Sequence, residues 1–487
     1  MNYLSLHFAG FVLLAVVLFY ILQRKSLGWT VLLAGSIVFY GLFSWKYLPF
    51  LAFTALSTYL CALGLAKGKR KKLLLALCVA ANVAVWFVVK LLPWSAQVAG
   101  VLANRLGRSF TWTPGNILVP VGISYFTLQA IGYLADVYKG KLQPEKNVAK
   151  YLLFISYFPA IVQGPISRYE QLMPQLLNTK PYRFETMRQG LILILFGLVK
   201  KMVVADRLAI FVNACFGGYQ DLTGVILYLG AVGYAIQLYM DFSGCVDICR
   251  GVSTLFNAEL IHNFNRPYLA TSIKDFWGRW HISLSSWLKD YIYIPLGGNR
   301  KGTGRKYLNL LITFLVSGLW HGAGFQFFWW GVLHAVYQIV GQVTDPARKW
   351  IKKRIGVEEG SVSERIYQTV ITFNLVTFAW IFFRSGTLMA GVEYVSNMFS
   401  ELNLYALVKP VYEMGVNANQ FLFLLFHLIV FFWVETRFSS QDRVVQGLTN
   451  QHIFIRWAVY YLLILDVVLL GAYGAGYDLS GFLYGGF

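Results

Sequence analysis

Apolar residues run along this chain in blocks about as long as a bilayer crossing, roughly 18–20 residues, with polar residues gathered in short connections between them. The blocks that read as spanning helices are Phe8–Leu22, Leu27–Phe43, Tyr47–Leu65, Leu73–Leu91, Ile117–Leu134 and Leu222–Met240. They continue with Leu308–Trp320, Phe327–Val340, Ile366–Phe383, Phe421–Val434 and Trp457–Leu470. Shorter pieces at Tyr151–Val162 and Leu191–Val204 read as re-entrant or tilted segments. Backbone polar groups in hydrocarbon must be paired internally, and blocks of this length select helices over strands. The pattern predicts an all-α polytopic membrane protein with about eleven transmembrane helices plus re-entrant or short ones. No hydrophilic connection is long enough to fold by itself, so residues 1–487 read as a single integral membrane domain.

The informative positions are those that break the pattern. "FWGRWHISLSSWLKDYIYIPLGGNRKG", from Phe276 to Gly302, is too polar for a simple span and too aromatic for a free loop. Trp277, Trp280, Ser283 and Trp287 recur in it at helical spacing, and Lys289–Asp290 reads as a structural pair. "QLYMDFSGCVDI" sets Asp241, Ser243 and Asp247 at the end of a long span, where Asp241 before Ser243-Gly244 also fits a helix stop and cap. "YFPAIVQGPISRYEQL" is a proline-bounded break carrying Gln163, Gly164 and Arg168. Ionisable groups at membrane depth cost roughly 2.5–3.5 kcal/mol each on insertion scales. Broken backbone there survives only inside protein or beside a cavity. These segments together imply a polar cavity within the bilayer.

Of the seven histidines, all but His262 fall into three pairs. His7 and His452 lie near span ends, as interfacial anchors do; His427 and His334 lie within spans, where helix–helix hydrogen bonds account for them. His321, in "FLVSGLWHGAG", is surrounded by Ser317, Gly318, Gly322 and Gly324, and His281 sits in the tryptophan-rich segment. Read singly, each of these two fits core packing as well as chemistry.

A net charge of +20 could suggest nucleic acid, but with 57% hydrophobic and only 13% charged residues it belongs to membrane topology. Lys67–Lys72, Lys139–Lys150, Arg300–Lys306 and Arg348–Arg354 are basic and read as cytoplasmic, which sets both termini outside. Arg384–Gln420 and the tail "YDLSGFLYGGF" then lie outside, and Thr436–Gln451 inside. The five cysteines show no metal-binding spacing, and the first apolar block, lacking a basic start and a cleavage site, reads as a retained span. Phosphate-loop, zinc-pair and nucleophile-elbow motifs are absent from the sequence.

"NFNRPYLATSIKDFWGRWHISLSSWLKDYIYIPLGGNRKG" followed by "LVSGLWHGAGFQFFWWGVLHA" resembles the membrane-bound O-acyltransferase family, and within it the bacterial branch of alginate O-acetyltransferase membrane subunits. "LVPVGISYFTLQAIGYLADVYKG", "YFPAIVQGPISRYEQL" and "AIQLYMDFSGCVDI" extend the likeness over most of the chain. The resemblance implies helices around an intramembrane tunnel, with His321 as catalytic histidine and His281 as the second polar residue of the site. It implies that Trp280, Trp287, Asn265, Trp320, Asp241 and Ser317 line that tunnel or bind the donor. Acetyl-CoA is the implied donor, its phosphates landing on the Arg300–Lys306 loop, and no metal is expected. A neutral histidine is suited to take the proton of an acceptor hydroxyl.

Further expectations follow from the same likeness. The acceptor is an extracytoplasmic cell-surface polysaccharide, and the membrane is the bacterial cytoplasmic one. The acetyl group passes outside to a partner, an SGNH or serine-hydrolase-like acetyltransferase with a Ser-His-Asp site. D-alanyl transfer to a cell-wall polymer is the nearest alternative. Physics alone also leaves open a transporter or channel, because intramembrane His and Asp often mark ion paths, or a non-catalytic scaffold of an export complex.

Overall fold

The computed structural model describes residues 3–68, 70–108, 117–178, 180–401, 414–438 and 440–473. The expected outer tail and residues 402–413 of the Arg384–Gln420 connection lie outside these residues. The described chain is helical throughout, with one isolated antiparallel bridge and no strand. The first group comprises α1 (Leu6–Gln23), α2 (Gly28–Phe43), α3 (Leu48–Lys67), α4 (Lys71–Lys90) and α5 (Leu92–Arg105). Next come α6 (Ile123–Tyr138), α7 (Val148–Ser156), α8 (Tyr169–Leu177), α9 (Phe184–Leu198), α10 (Asp206–Gly217) and α11 (Val225–Leu255). Two short helices, α12 (Ile273–Arg279) and α13 (Ile282–Leu288), precede α14 (Gly302–His321), α15 (Phe325–Val343) and α16 (Asp345–Arg354). The chain closes with α17 (Val362–Arg384), α18 (Leu388–Ser400), α19 (Ala418–Arg437), α20 (Gln441–Thr449) and α21 (Ile453–Leu470).

All of the expected spans fall on helices. Among the described residues, 7 helices are long and apolar enough to cross a bilayer: α1, α3 with its leading turn, α4, α11, α17, α19 and α21. The remaining expected spans coincide with α2, α6, α14 and α15, which are too short or too polar to meet that measure alone. These helices carry the residues that face other protein rather than lipid; Trp320, His321, Trp330 and His334 are all buried.

Two expectations change at the centre of the fold. The chain does not stop at Asp241: α11 continues unbroken to Leu255. Nor is Leu191–Val204 a separate short piece, because α9 and α10 join through a π-helical turn, Val199–Ala205, into one helical run. The two findings have one cause. Gly190 and Gly197 on α9 meet Gly251 and Gly244 on α11 backbone to backbone, and a Cβ on Gly244 would lie 2.8 Å from the Gly197 carbonyl oxygen. At that separation the π turn projects consecutive lysines onto α11. Lys200 Nζ pairs with Asp247 at 2.7 Å, and Lys201 Nζ pairs with Asp241 at 2.6 Å and with Asp206 at 2.8 Å. The acidic residues of "MDFSGCVD" are therefore neutralised within protein, as charges at this depth require, and the helix has no reason to end there.

α19 and α21 stand apart from this core. Only 6% of the spanning window of α19 is buried within the protein, and 0% of that of α21. His427 of α19 pairs with Asp466 of α21 at 3.3 Å, tying the two to each other, while inward Tyr239 of α11 donates to Glu435 and packs edge-on against Phe431 of α19. In α20, between them, Asp442 receives Arg250 at 2.7 Å and His262 at 2.7 Å. Burial alone would push the Asp442 carboxyl up, but hydrogen bonds from His262 and Arg250 hold it below the usual carboxylate range.

Two outcomes follow. Gly244→Ala should force α9 and α11 apart and destabilise the protein by about 1–3 kcal/mol, the usual range for overpacking. Gly10→Ala, where nothing lies within 4 Å of the added carbon, should leave the detergent-solubilised Tm unchanged. Because the folded-state value of Asp442 is depressed, its stabilisation is present above the unfolded pKa of about 3.9 and fades as the pH falls toward the folded value. The Tm gap between the native protein and Asp442→Asn should therefore be open near neutral pH and close in acid.

Candidate active site

The tryptophan stripe expected on one helix is split. α12 ends at Arg279, Trp280 is extended, and His281 adopts φ 46°, ψ 52° before α13 begins. A bulky residue in the left-handed region is uncommon and persists only where its surroundings over-determine it. Here the surroundings are the segment just upstream. Phe264 bridges Trp280, Asn265 N–H donates to the Arg279 carbonyl at 2.9 Å, and Ile282 N–H donates to the Asn263 carbonyl at 3.0 Å. The Asn263 side chain completes the clasp, its Oδ1 accepting from Ser283 N–H at 3.0 Å. The break's backbone groups thus find partners in protein where lipid offers none.

A second clasp comes from the proline-bounded break, whose residues 157–167 lie almost wholly buried between α7 and α8. Ile166 N–H donates to Ser283 Oγ at 3.0 Å, and Arg168 reaches Asp290 at 3.1 Å. Asp290 accordingly pairs with Arg168 rather than with the adjacent Lys289.

His321 arrives from another direction, as the last residue of α14. Gly318 and Gly331 let α14 and α15 approach until a side chain at either would strike the other's backbone. This sets the His321 ring between Trp330 (centroids 5.1 Å apart), Phe383 (5.3 Å) and Trp320 (4.9 Å). His281 packs edge-on to Phe242 at 4.9 Å and lies 5.9 Å from Trp320. The two imidazole centres are 6.5 Å apart, and both residues are fully buried.

Two cavities flank the pair. One, of about 550 Å³, extends from Tyr138, Lys139 and Tyr291 to Ser124 and is lined by Trp287 and Trp320. The other, of about 910 Å³, lies between α9–α11 and α19–α21 and is lined by Asn263 and Asn265. Both histidines were expected to face one cavity; they adjoin each other but line neither of these two. Trp320, on the first cavity, stands against His281 on one side, and Asn263, on the second, holds its loop on the other. Of the remaining expected residues, Trp280 is buried against Trp380 (5.3 Å), and Asp241 is in its lysine pair. Ser317 is buried one turn before His321, with its Oγ lacking a protein partner among the described residues. None of these three lines either cavity.

Asn263 is not among the expected residues, whereas the helix–helix hydrogen bond expected for His334 is present. His334 Nδ1 accepts from Trp277 Nε1 at 3.2 Å, tying the helix before His281 to the helix after His321. The helix–helix hydrogen bond expected for His427 is present as its Asp466 pair. Asn263 had a signal, since it opens "NFNRPY", a polar run eight residues past the end of buried α11.

Comparison with known proteins fits this arrangement. The membrane-bound O-acyltransferase family signature matches residues 144–355, which hold both histidines and both clasps. A protein named probable alginate O-acetylase in Pseudomonas putida is 33% identical over 374 residues, 76% of this chain and 74% of that one. The peptidoglycan O-acetyltransferase of Helicobacter pylori is 34% identical over 400 residues, covering 76% and 73%. The teichoic acid D-alanyltransferase of Bacillus subtilis is 29% identical over 283 residues, covering 55% and 70%. The chain belongs to the membrane-bound O-acyltransferase family, and is thus a multi-pass membrane acyltransferase.

Asn263→Leu should lower acyl transfer sharply, because it strands the Ser283 N–H in a buried site, a loss of about 1–3 kcal/mol of local order. Asn265→Ala, at an exposed position whose ladder bond is made by backbone, should cost little. Parallel assays of the two variants at matched membrane abundance separate the residues.

Proposed function

We propose that this protein is an O-acetyltransferase subunit of the bacterial cytoplasmic membrane. It takes acetyl from cytoplasmic acetyl-CoA and passes it outward for O-acetylation of a cell-surface polysaccharide. The observation that carries this reading is the convergence of His281 and His321, distant in sequence, to 6.5 Å, with Trp320 against both rings and on the wall of an aromatic-lined cavity. A single oxygen making hydrogen bonds of roughly 2.8 Å to each ring fits within that separation.

In this reading the thioester arm enters along Trp287 and Trp320, from a rim where Lys139 meets the ring of Tyr291. His321 takes the proton of the serine hydroxyl that the extracytoplasmic partner presents, as that oxygen attacks the thioester carbonyl. The C–O bond forms, the C–S bond breaks, and the proton leaves with the coenzyme A thiol. His281 orients the same oxygen, and Trp320, in contact with both rings, keeps the reacting atoms away from the bulk. The basic Arg300–Lys306 turn at the start of α14 offers the coenzyme phosphates a landing site on the cytoplasmic face. The names of the relatives support a polysaccharide or cell-wall acceptor. A long hydrated glycan does not thread into a cavity of about 550 Å³, which supports hand-over to an extracytoplasmic acetyltransferase with a Ser-His-Asp site.

His321→Ala should lower acetyl transfer from labelled acetyl-CoA by about 10² to 10⁴, the usual contribution of a general base, with insertion unaffected. His281→Ala should lower it less. The chain reconstituted alone should leave glycan nearly unmodified and regain modification when the partner is added. Efficient modification by the lone chain would remove the partner from the scheme, and full activity of the His321 variant would move the chemistry elsewhere.

A further inference from the structure

The 910 Å³ cavity between the core and the outer hairpin has no part in the reaction just described, yet it is built as a binding site. Its volume falls in the upper range of ligand pockets, about 300–1,000 Å³. One end is apolar, walled by Phe426, Val430, Leu462 and Leu463. The other end collects polar atoms that are buried and have no protein partner among the described residues: Ser243 Oγ, Arg250 Nε, Asn263 Nδ2, Gln441 Nε2 and Glu435 Oε2. Ser243, Arg250 and Asn263 are themselves more than nine-tenths buried. Unsatisfied polar atoms are rare in folded interiors, and five on one lining mark the outline of a missing head group.

Their chemistry says which kind. Arginine and amide N–H groups can only donate, and Arg250 Nε, Asn263 Nδ2 and Gln441 Nε2 belong to the lining of one cavity, beside the Arg250–Asp442 pair. Glu435, whose other oxygen receives Tyr239, offers an acceptor to a neighbouring cation. A phosphate beside an ammonium matches both. The route of entry points the same way, because α19 and α21 are apolar helices long enough to cross a bilayer, with few residues buried inside the protein. A soluble ligand would have to leave water to reach the apolar end, whereas an acyl chain is already there.

We propose that this cavity holds one aminophospholipid, its phosphate on Arg250, Asn263 and Gln441, its ammonium at Glu435, and its chains along α19 and α21. The site adjoins the segment that clasps His281, and Asn263 belongs to both. Asn263 faces the lipid with its amide nitrogen while its Oδ1 holds Ser283 beside His281. The lipid is thereby a structural ligand of the active-site break, separate from both donor and acceptor.

Native mass spectrometry of the full chain in mild detergent tests this. The protein, monodisperse by gel filtration, should retain one phospholipid per chain. After delipidation and exposure to equal phosphatidylethanolamine and phosphatidylglycerol, the first should be retained over the second by about tenfold or more. Leu462→Trp, which fills the apolar end from an exposed position on α21, should lower retention by about tenfold. Gln441→Leu, at the head-group end, should also lower it, and Glu435→Gln should keep the lipid while abolishing the preference for phosphatidylethanolamine. A native protein without a retained lipid, or equal retention in the native, Leu462→Trp and Gln441→Leu proteins, would overturn the site. Retention with no preference in the native protein would overturn the head-group assignment. None of these readouts depends on acyl transfer, so they stand whether or not the proposed reaction does.

Discussion

Every backbone group at membrane depth must find a partner in protein, and the site depends on how that demand is met at Trp280–His281. A continuous helix there would have satisfied the backbone at no cost, but it would have pointed His281 along the helix surface. Breaking the helix turns the ring toward His321 and frees N–H and C=O groups in a medium without water. Asn263 answers with its own carbonyl and its side-chain oxygen, and Ser283 relays the support to the second break at Ile166. The chemistry-bearing residue is thus held by residues that have no chemistry themselves.

Charge is handled by the same logic one layer out. Asp241 and Asp247 lie on a helix buried over most of its length, and each meets a lysine from a single π turn. The irregular turn presents both lysines to one neighbouring helix, and π turns of this kind recur at sites under functional demand. The price of one irregular turn is small beside two unpaired carboxylates in the interior. Glycine contact between α9 and α11 brings the lysines within reach, so packing and electrostatics here are one arrangement.

The fold class was legible because lipid imposes one rule on length and apolarity, and each predicted span lies on a helix. The breaks were legible too, since polar and proline residues stand out against an apolar background: the turn around Gln163–Arg168 and the irregularity at His281 were both visible. Partners across the fold were not. Nothing in "WLKDY" says that Asp290 meets Arg168 rather than Lys289, because local spacing cannot report a tertiary neighbour. Asp241 looked like a helix end, since Ser-Gly after Asp is the usual stop signal; close packing against Gly197 overrode it. Asn263 passed unnoticed because a single asparagine near a span end is ordinary until its bonds are seen. Comparison with relatives adds the family and the acyl-transfer class, which burial and periodicity do not specify.

The second clasp bears on how such a chain is made. Ile166 finds its partner Ser283 only 117 residues later. At about 5–20 residues per second, the proline-bounded turn is complete roughly 6–23 s before the hydroxyl that satisfies it leaves the ribosome. Through that interval the Ile166 N–H is without this partner in a region where lipid offers none, while Phe158 of the same turn is already held by Tyr3 and Ser36 of the earlier chain. Biogenesis of this membrane protein therefore requires a waiting place of moderate polarity, beside the insertion machinery or among the earlier helices, and the order of translation becomes part of what the active site needs.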